Sequence, residues 1–297
     1  MMSDKIGGGE TLMKPTKADE VVEKLMLGLI PDEEVKMLIK DQLQRRTDWI
    51  YSHSFEQRFA QLHNIVEFLR GKSAVTETKD YNGDEHDIPI GFAKLTLGRA
   101  LKFSWSYFED KSSTLDDAEK AMLDLYCERA QIKDGHRILD LGCGYGALAI
   151  HIASKYPYCH VIGITDTTSQ KKFIEEQCKN QNLENVEVIL GDITKFELNK
   201  EFDRVMVLDV LENDVSIVNH WVLNGKHISR TSEEWLKKLD DNADEAKAIA
   251  KDILGSEYEA VKWINQWRTS YLHAIELGEF NNGEEWVLAQ YLFKKKY

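Results

Sequence analysis

The stretch LDLGCGYG, Leu139–Gly146, decides how the rest of the chain is read. It starts as an apolar run, turns through glycines at 142, 144 and 146, and opens into ALAIHIASKY, whose spacing is helical. Strand, glycine turn and helix in that order are how an open α/β sheet presents backbone to a ligand at the carboxyl end of a strand. Glycine serves there because the turn is tight and the ligand approaches the main chain closely. The spacing also separates two ligand classes. A dinucleotide fingerprint places its third glycine three residues after the second, whereas here it comes two after, and an acid, Asp140, leads the motif.

Outward from this turn the periodicity repeats. RILDL (Arg137–Leu141), HVIGIT (His160–Thr165), VEVIL (Val186–Leu190) and RVMVLD (Arg204–Asp209) are short, β-branched and nearly continuous in apolar character, with helical stretches between them. Buried strands alternating with helices predict right-handed βαβ units and a parallel sheet. Acids recur at the strand ends. Asp166 closes the second strand and can accept hydrogen bonds from ribose hydroxyls; Asp192, in GDITKF after the third, is placed for an adenine amino group while Ile193 packs on the ring. Each acid alone reads equally as a loop carboxylate or a helix cap. Three of them with three glycines, at consecutive strand ends, predict an α/β, Rossmann-like core in which Gly142 and Gly144 admit close backbone contacts; the motif resembles that of class I methyltransferases, which use its opening acid, here Asp140, to hold the methionine amino group of S-adenosyl-L-methionine.

The flanks are different in kind. Residues 1–16 are Gly-rich and polar and predict a disordered tail. From Lys17 to about Leu69 apolar residues recur three and four apart, with Pro31-Asp32 as break and N-cap. Gly71–His86 is loop-like, and Leu115–Ala130 is an amphipathic helix with two acids in its first turn. After Glu212, DVSIVNHWVL reads as a strand, Ser232 to about Leu277 as helical, and EEWVLAQYLFKK as a closing strand. The expected organisation is a tail (1–16), a helical N-terminal region (17–114), a cofactor-binding core (115–213) and a C-terminal helical region with closing strand (214–297).

Composition excludes several classes. The 297 residues carry a net charge of −13, and the longest basic block is Lys294-Lys295-Lys296, so a nucleic-acid partner is disfavoured. A cationic small molecule would meet a favourable field. No apolar run approaches the ~20 residues that cross a bilayer, so no membrane partner is expected and the cytoplasm is the expected location. Cys127, Cys143, Cys159 and Cys178 lack metal-ligand spacing and read as reduced, buried thiols, with no metal site.

Specific motifs then add a resemblance. FSWSYFED (Phe103–Asp110), LYCERAQIKDGHRILDLGCGYG, GITDTTSQKKFIEEQC and NVEVILGDITKFE resemble successive motifs of the plant coclaurine N-methyltransferase family, a relative of the cyclopropane fatty acid synthases. DVSIVNHWVLNGKHISRTSEEWLKKLD, AVKWINQW and NNGEEWVLAQYLFKK resemble that family's distal region, and this C-terminal match is the more discriminating. The resemblance implies methyl transfer from S-adenosyl-L-methionine to the amine nitrogen of a benzylisoquinoline, protoberberine or phenylalkylamine in alkaloid biosynthesis. It places Ser104 and Tyr107 where the family closes the methionine end, and Gly142, Asp166, Gln170, Asp192, Ile193 and Leu208 at cofactor-contacting positions. Core packing is an equal reading for Tyr107 and Phe108. The family forms homodimers, so a homodimer, or pairing with an intact chain, is the implied assembly. A cyclopropane synthase reading is weaker, because Tyr271–Phe280 lacks the cysteine that those enzymes carry there and the net charge repels anionic membranes.

The catalytic segment departs from the family pattern. Where the family reads Glu-x-Phe-Glu-His after the fourth strand, this chain reads Asp209-Val210-Leu211-Glu212-Asn213. Asp209 and Glu212 keep the carboxylates, but Asn213 cannot serve as a base. Asp87, in Asp87-Ile88-Pro89, aligns with a further family acid and reads equally as an exposed loop residue. Directly after Glu212 the chain jumps to DVSIVNHW, which lies much later in the family, so the fifth strand, its helices and the substrate cap are missing. A splice or gene-model product, an engineered removal and a divergent inactive paralogue all fit this jump. His220, His227 and His273 are candidates for a replacement base, although packing or surface roles suit a lone histidine better. Trp263, Trp267 and Trp286 are candidates to line an amine pocket through cation–π contacts, or to pack the core.

Overall fold

The computed structural model describes residues 17–70, 88–191, 200–207 and 215–295. The tail expected at 1–16 lies outside them. Three helices open the described chain: α1 (Lys17–Met26), α2 (Asp32–Tyr51) and α3 (Phe55–Arg70). The break at Pro31-Asp32 is where the sequence puts it, but the cap is not. Pro31 occupies the N-cap without any side-chain bond, and Asp32 is the first helical residue. Its carboxylate instead takes the Arg268 guanidinium at 2.7 Å, tying α2 to a distant helix. A short helix that periodicity does not announce, α4 (Ile90–Thr96), starts behind Pro89.

The central layer follows. α5 (Leu115–Arg129) is started by a capping box: the Asp117 N–H bonds the Thr114 hydroxyl while the Asp117 carboxylate takes the Thr114 N–H. Then come β1 (Arg137–Leu141), α6 (Ala147–Lys155), β2 (His160–Thr165), α7 (Thr168–Asn180), β3 (Val186–Leu190) and β4 (Arg204–Val207). The four strands form one parallel sheet in the order β3-β2-β1-β4. Leu141 is in register with Ile164 and with Val207, so β1, β2 and β4 end side by side at their carboxyl ends. The core under the sheet is made by Ile138, Val161, Leu148, Ile152 and Met206, with Cys127 and Cys159 buried beside them. All four cysteines are free and buried.

The last third is β5 (Val215–Leu223), α8 (Lys226–Asp241), α9 (Ala243–Leu254), α10 (Glu257–Glu279), a 3-10 turn at Phe280–Gly283, and β6 (Leu288–Lys295). α8 and α10 cross closely because the crossing residues are small. A Cβ on Gly278 would stand 2.6 Å from the Ser229 nitrogen. α10 also packs on α1, α2 and α9, and α4 packs on α8 and α9, so helices from both ends of the chain share one core.

The jump after Glu212 has a structural counterpart. Among the described residues β5 and β6 pair antiparallel with each other alone, in a two-stranded sheet of their own. Among the described residues β4 is therefore an edge of the parallel sheet, and Val205 on it is 51% exposed. Ile217, Val218, Val222, Tyr291 and Phe293 leave an apolar face on the hairpin exposed. Arg129 holds the hairpin to α5, stacking over Trp221 and donating to the Gln290 side chain.

Candidate active site

The glycine turn is built from left-handed backbone. Gly142, Gly144 and Gly146 have φ of 73°, 53° and 79°, a region that costs an ordinary residue about 1–2 kcal/mol. Their surroundings differ. A Cβ on Gly142 or Gly144 would meet nothing within 4 Å, so the main chain there faces open space. On Gly146 it would lie 2.7 Å from Ile174, so this glycine lets α6 pack on α7. The turn is held by the Cys143 N–H on the Ile164 carbonyl (2.9 Å) and the Gly146 N–H on the Cys143 carbonyl (2.8 Å).

Asp140, one residue before the end of β1, is buried, and its Oδ2 has no hydrogen-bond partner. Desolvation pushes its carboxyl up to about 7, against the pull of the Ala149 N–H. A buried carboxyl with an orphaned oxygen costs stability unless something bonds it. Asp166, next after β2, is exposed. Gln170 is tied to that strand end, because the Thr165 hydroxyl donates to its Oε1 at 2.5 Å. Thr167, between them, is buried with its hydroxyl unpartnered. The spacing gave no signal for Thr167.

Ser104 and Tyr107 lie on an irregular segment between α4 and α5. The Lys102 ammonium donates to the Ser104 carbonyl (2.9 Å) and hydroxyl (2.7 Å), while the Tyr107 N–H bonds the Ala118 carbonyl (3.2 Å). Tyr107 is half-buried with its ring 4.8 Å from that of His227, and Phe108 is core, with the Arg230 guanidinium 4.0 Å above it. The packing reading thus describes Phe108 fully and Tyr107 in part. Asp87, Asp192, Ile193, Leu208, Asp209 and Glu212 lie outside the described residues.

The three histidines are engaged elsewhere. His227 Nδ1 accepts the Phe108 N–H at 3.1 Å, His220 stacks on Tyr291 of the hairpin, and His273 lines a groove between α2 and α10. Burial lowers the pKa of His227, helped by Arg230, and that of His273. Trp263 and Trp267 do come together, in an aromatic cluster with Phe92, Phe103, Trp235 and Tyr271. Trp286 is apart from it, under Arg46 of α2.

Residues 75–221 match the model of the mycolic acid cyclopropane synthetase family, which stops short of the helices α8–α10. A longer match reaches both ends of the chain. (S)-Coclaurine N-methyltransferase of Thalictrum flavum subsp. glaucum is 39% identical, covering 98% of this chain and 99% of its own. The chain belongs to the coclaurine N-methyltransferase family. Pavine N-methyltransferase of the same plant is 38% identical over 95% of this chain and 99% of its own. The crystal structure of a coclaurine N-methyltransferase bound to N-methylheliamine and S-adenosylhomocysteine superposes with a TM-score of 0.89 at 39% identity, covering 94% of this chain and all of that one. This family member is thus an S-adenosyl-L-methionine-dependent N-methyltransferase by descent, with the α/β fold that the strand pattern predicts. It is also shorter than its relatives. The alignment to the Thalictrum enzyme runs over 359 positions against 297 residues here, so at least 62 (359 less 297) have no counterpart in this chain.

Proposed function

We propose that this chain binds S-adenosyl-L-methionine across the carboxyl ends of β1 and β2, and that its inherited reaction is methylation of the amine nitrogen of a benzylisoquinoline-type alkaloid. The observation that carries the reading is the buried Asp140 with its free Oδ2, opening a glycine turn whose backbone faces empty space at 142 and 144. The residues fit the cofactor. A carboxylate suits an amino group, exposed Asp166 suits ribose hydroxyls, and Gln170 is held beside it. Asp192, Ile193 and Leu208 are assigned to the adenosine end, and Ser104 and Tyr107 to the methionine end, by family position alone.

When bound, the cofactor supplies an electrophilic methyl on a sulfonium centre, lost to the attacking nitrogen as the carbon–sulfur bond breaks. The chain's own task is alignment and proton handling. A protonated amine has no lone pair, so it must give up its proton before or during attack. Asp209, Glu212 and Asp87 are the carboxylates assigned to draw in the cation and take that proton. The acidic surface favours a cationic amine in the same sense. A homodimer belongs to this reading on family grounds and a cytoplasmic location as the default for a sequence without a long apolar run, and sedimentation and fractionation test them. Transfer of labelled methyl to coclaurine or another benzylisoquinoline is the direct test. Labelled N-methyl product supports the reading, and none from a cofactor-loaded protein sinks it.

A second reading has its own observation. Among the described residues the sheet ends at β4 and the hairpin pairs with no other strand, as expected if the segment that bridges them in the family is missing. On this reading the chain holds cofactor or an intact partner subunit and turns over poorly. Co-expression with a full-length relative distinguishes the two, since only this second reading expects mixed dimers without labelled product from the short chain alone.

A further inference from the structure

The segment 98–108, which carries Ser104 and Tyr107, has no regular secondary structure and yet is fixed along its length. Three bonds come from α5. The Arg99 N–H donates to Asp116 Oδ1 (2.8 Å), the Ala100 N–H to Glu119 Oε2 (2.9 Å) and the Tyr107 N–H to the Ala118 carbonyl (3.2 Å). One comes from α8, where the Thr231 hydroxyl accepts the Ser106 N–H (3.0 Å). Within the segment, buried Lys102 donates to the Ser104 carbonyl and hydroxyl and to the Trp105 carbonyl (2.5 Å).

Glu119 is the unexpected member. It is 1% exposed, and one of its carboxylate oxygens has no hydrogen-bond partner. Gly98 is fitted to it, since a Cβ there would lie 2.4 Å from the Glu119 carboxyl carbon. Between the two, Leu101 is held at φ 50°, a strained setting for a branched residue that persists only where its surroundings impose it. An apolar side chain of similar volume would pack in the same place without the desolvation cost. What it could not supply is the acceptor for Ala100. Leu101 and Phe108 share a core cluster with Tyr145 of the glycine turn, so the position of this segment is mechanically linked to the turn.

We propose that Glu119 and Lys102 are positioning residues, a buried clasp that holds the 98–108 segment against the cofactor site; this rests on the reading that Ser104 and Tyr107 close that site. Glu119 anchors the entry of the segment and Lys102 shapes its middle. Neither touches the substrate or takes part in proton transfer.

The test uses full-length Glu119→Leu, Glu119→Gln and Lys102→Met, read by melting temperature, amide hydrogen exchange and titration with S-adenosylhomocysteine. For Glu119→Leu and Lys102→Met the clasp predicts a folded protein whose melting temperature falls by only a few degrees, the scale of one buried group left without its partner, with selectively faster exchange across 99–108 and affinity weaker by about tenfold. Glu119→Gln keeps an acceptor and should stay within about twofold of wild type. Wild-type exchange across 99–108 in both Glu119→Leu and Lys102→Met would overturn the proposal. So would an affinity loss that only follows a global loss of stability. If Glu119→Leu does not fold, Lys102→Met decides. If the wild type itself fails to bind, the cofactor reading falls, and exchange across 99–108 still decides the clasp.

Discussion

Asp140 and Glu119 are two carboxyls placed where carboxyls are costly, and both keep their protons up to about 7. Desolvation is the main cause in each; around Glu119 the Ala100 N–H and Lys102 pull the other way and Asp116 adds to the rise. In the unfolded chain such acids titrate near 4. Between about pH 4 and 7 the folded state therefore binds more protons than the unfolded state, so stability falls as pH rises through that window. Thermal melts of the cofactor-free protein should drop from pH 5 to pH 8, and Asp140→Asn and Glu119→Gln should each flatten the slope. The glycines make a second contrast. Gly142→Ala should cost about 1–2 kcal/mol from backbone strain alone. Gly146→Ala should cost more, because its Cβ also meets Ile174 at 2.7 Å. Chemical denaturation of the two variants measures the difference.

At the scale of elements, the four parallel strands were legible because each is a short, mostly apolar run followed within two residues by an acid or a glycine. The helices of the core, α5 to α7, were legible from spacing, and α5 also from the two acids in its first turn; its Thr114–Asp117 capping box emerges only in the structure. Thr114→Ala should lower stability by about 1 kcal/mol, as the loss of an N-cap does. Other features carried no local pattern. α4 is too short for periodicity, and the clasp around 98–108 joins residues distant in sequence, such as Ala100 with Glu119 and Ser106 with Thr231. Trp286 looked like Trp263 and Trp267 in the sequence, and only packing separates it from them. The edge strand brings its own prediction. An exposed parallel edge invites pairing with another chain, so Val205→Lys should raise the temperature at which light scattering detects aggregation while leaving cofactor affinity unchanged.

For the whole molecule, the likeness to the coclaurine N-methyltransferases spans nearly the full chain, yet the Thalictrum coclaurine enzyme carries at least 62 positions (359 less 297) without a counterpart here. The half that holds the glycine turn, Asp140 and the clasp is intact, whereas the sheet beyond β4 is not continued among the described residues. Cofactor binding and turnover should therefore separate. Inserting the relatives' extra segment after Glu212 should raise methyl transfer well above that of the short chain, while changing cofactor affinity much less. The measurement that tests the central claim most directly is isothermal titration of the purified chain with S-adenosylhomocysteine beside Asp140→Asn, with circular dichroism confirming that both are folded. One-site binding by the wild type, weakened about tenfold or more in the variant, is the predicted result. A folded wild type that binds nothing, or a variant that binds equally well, would contradict it.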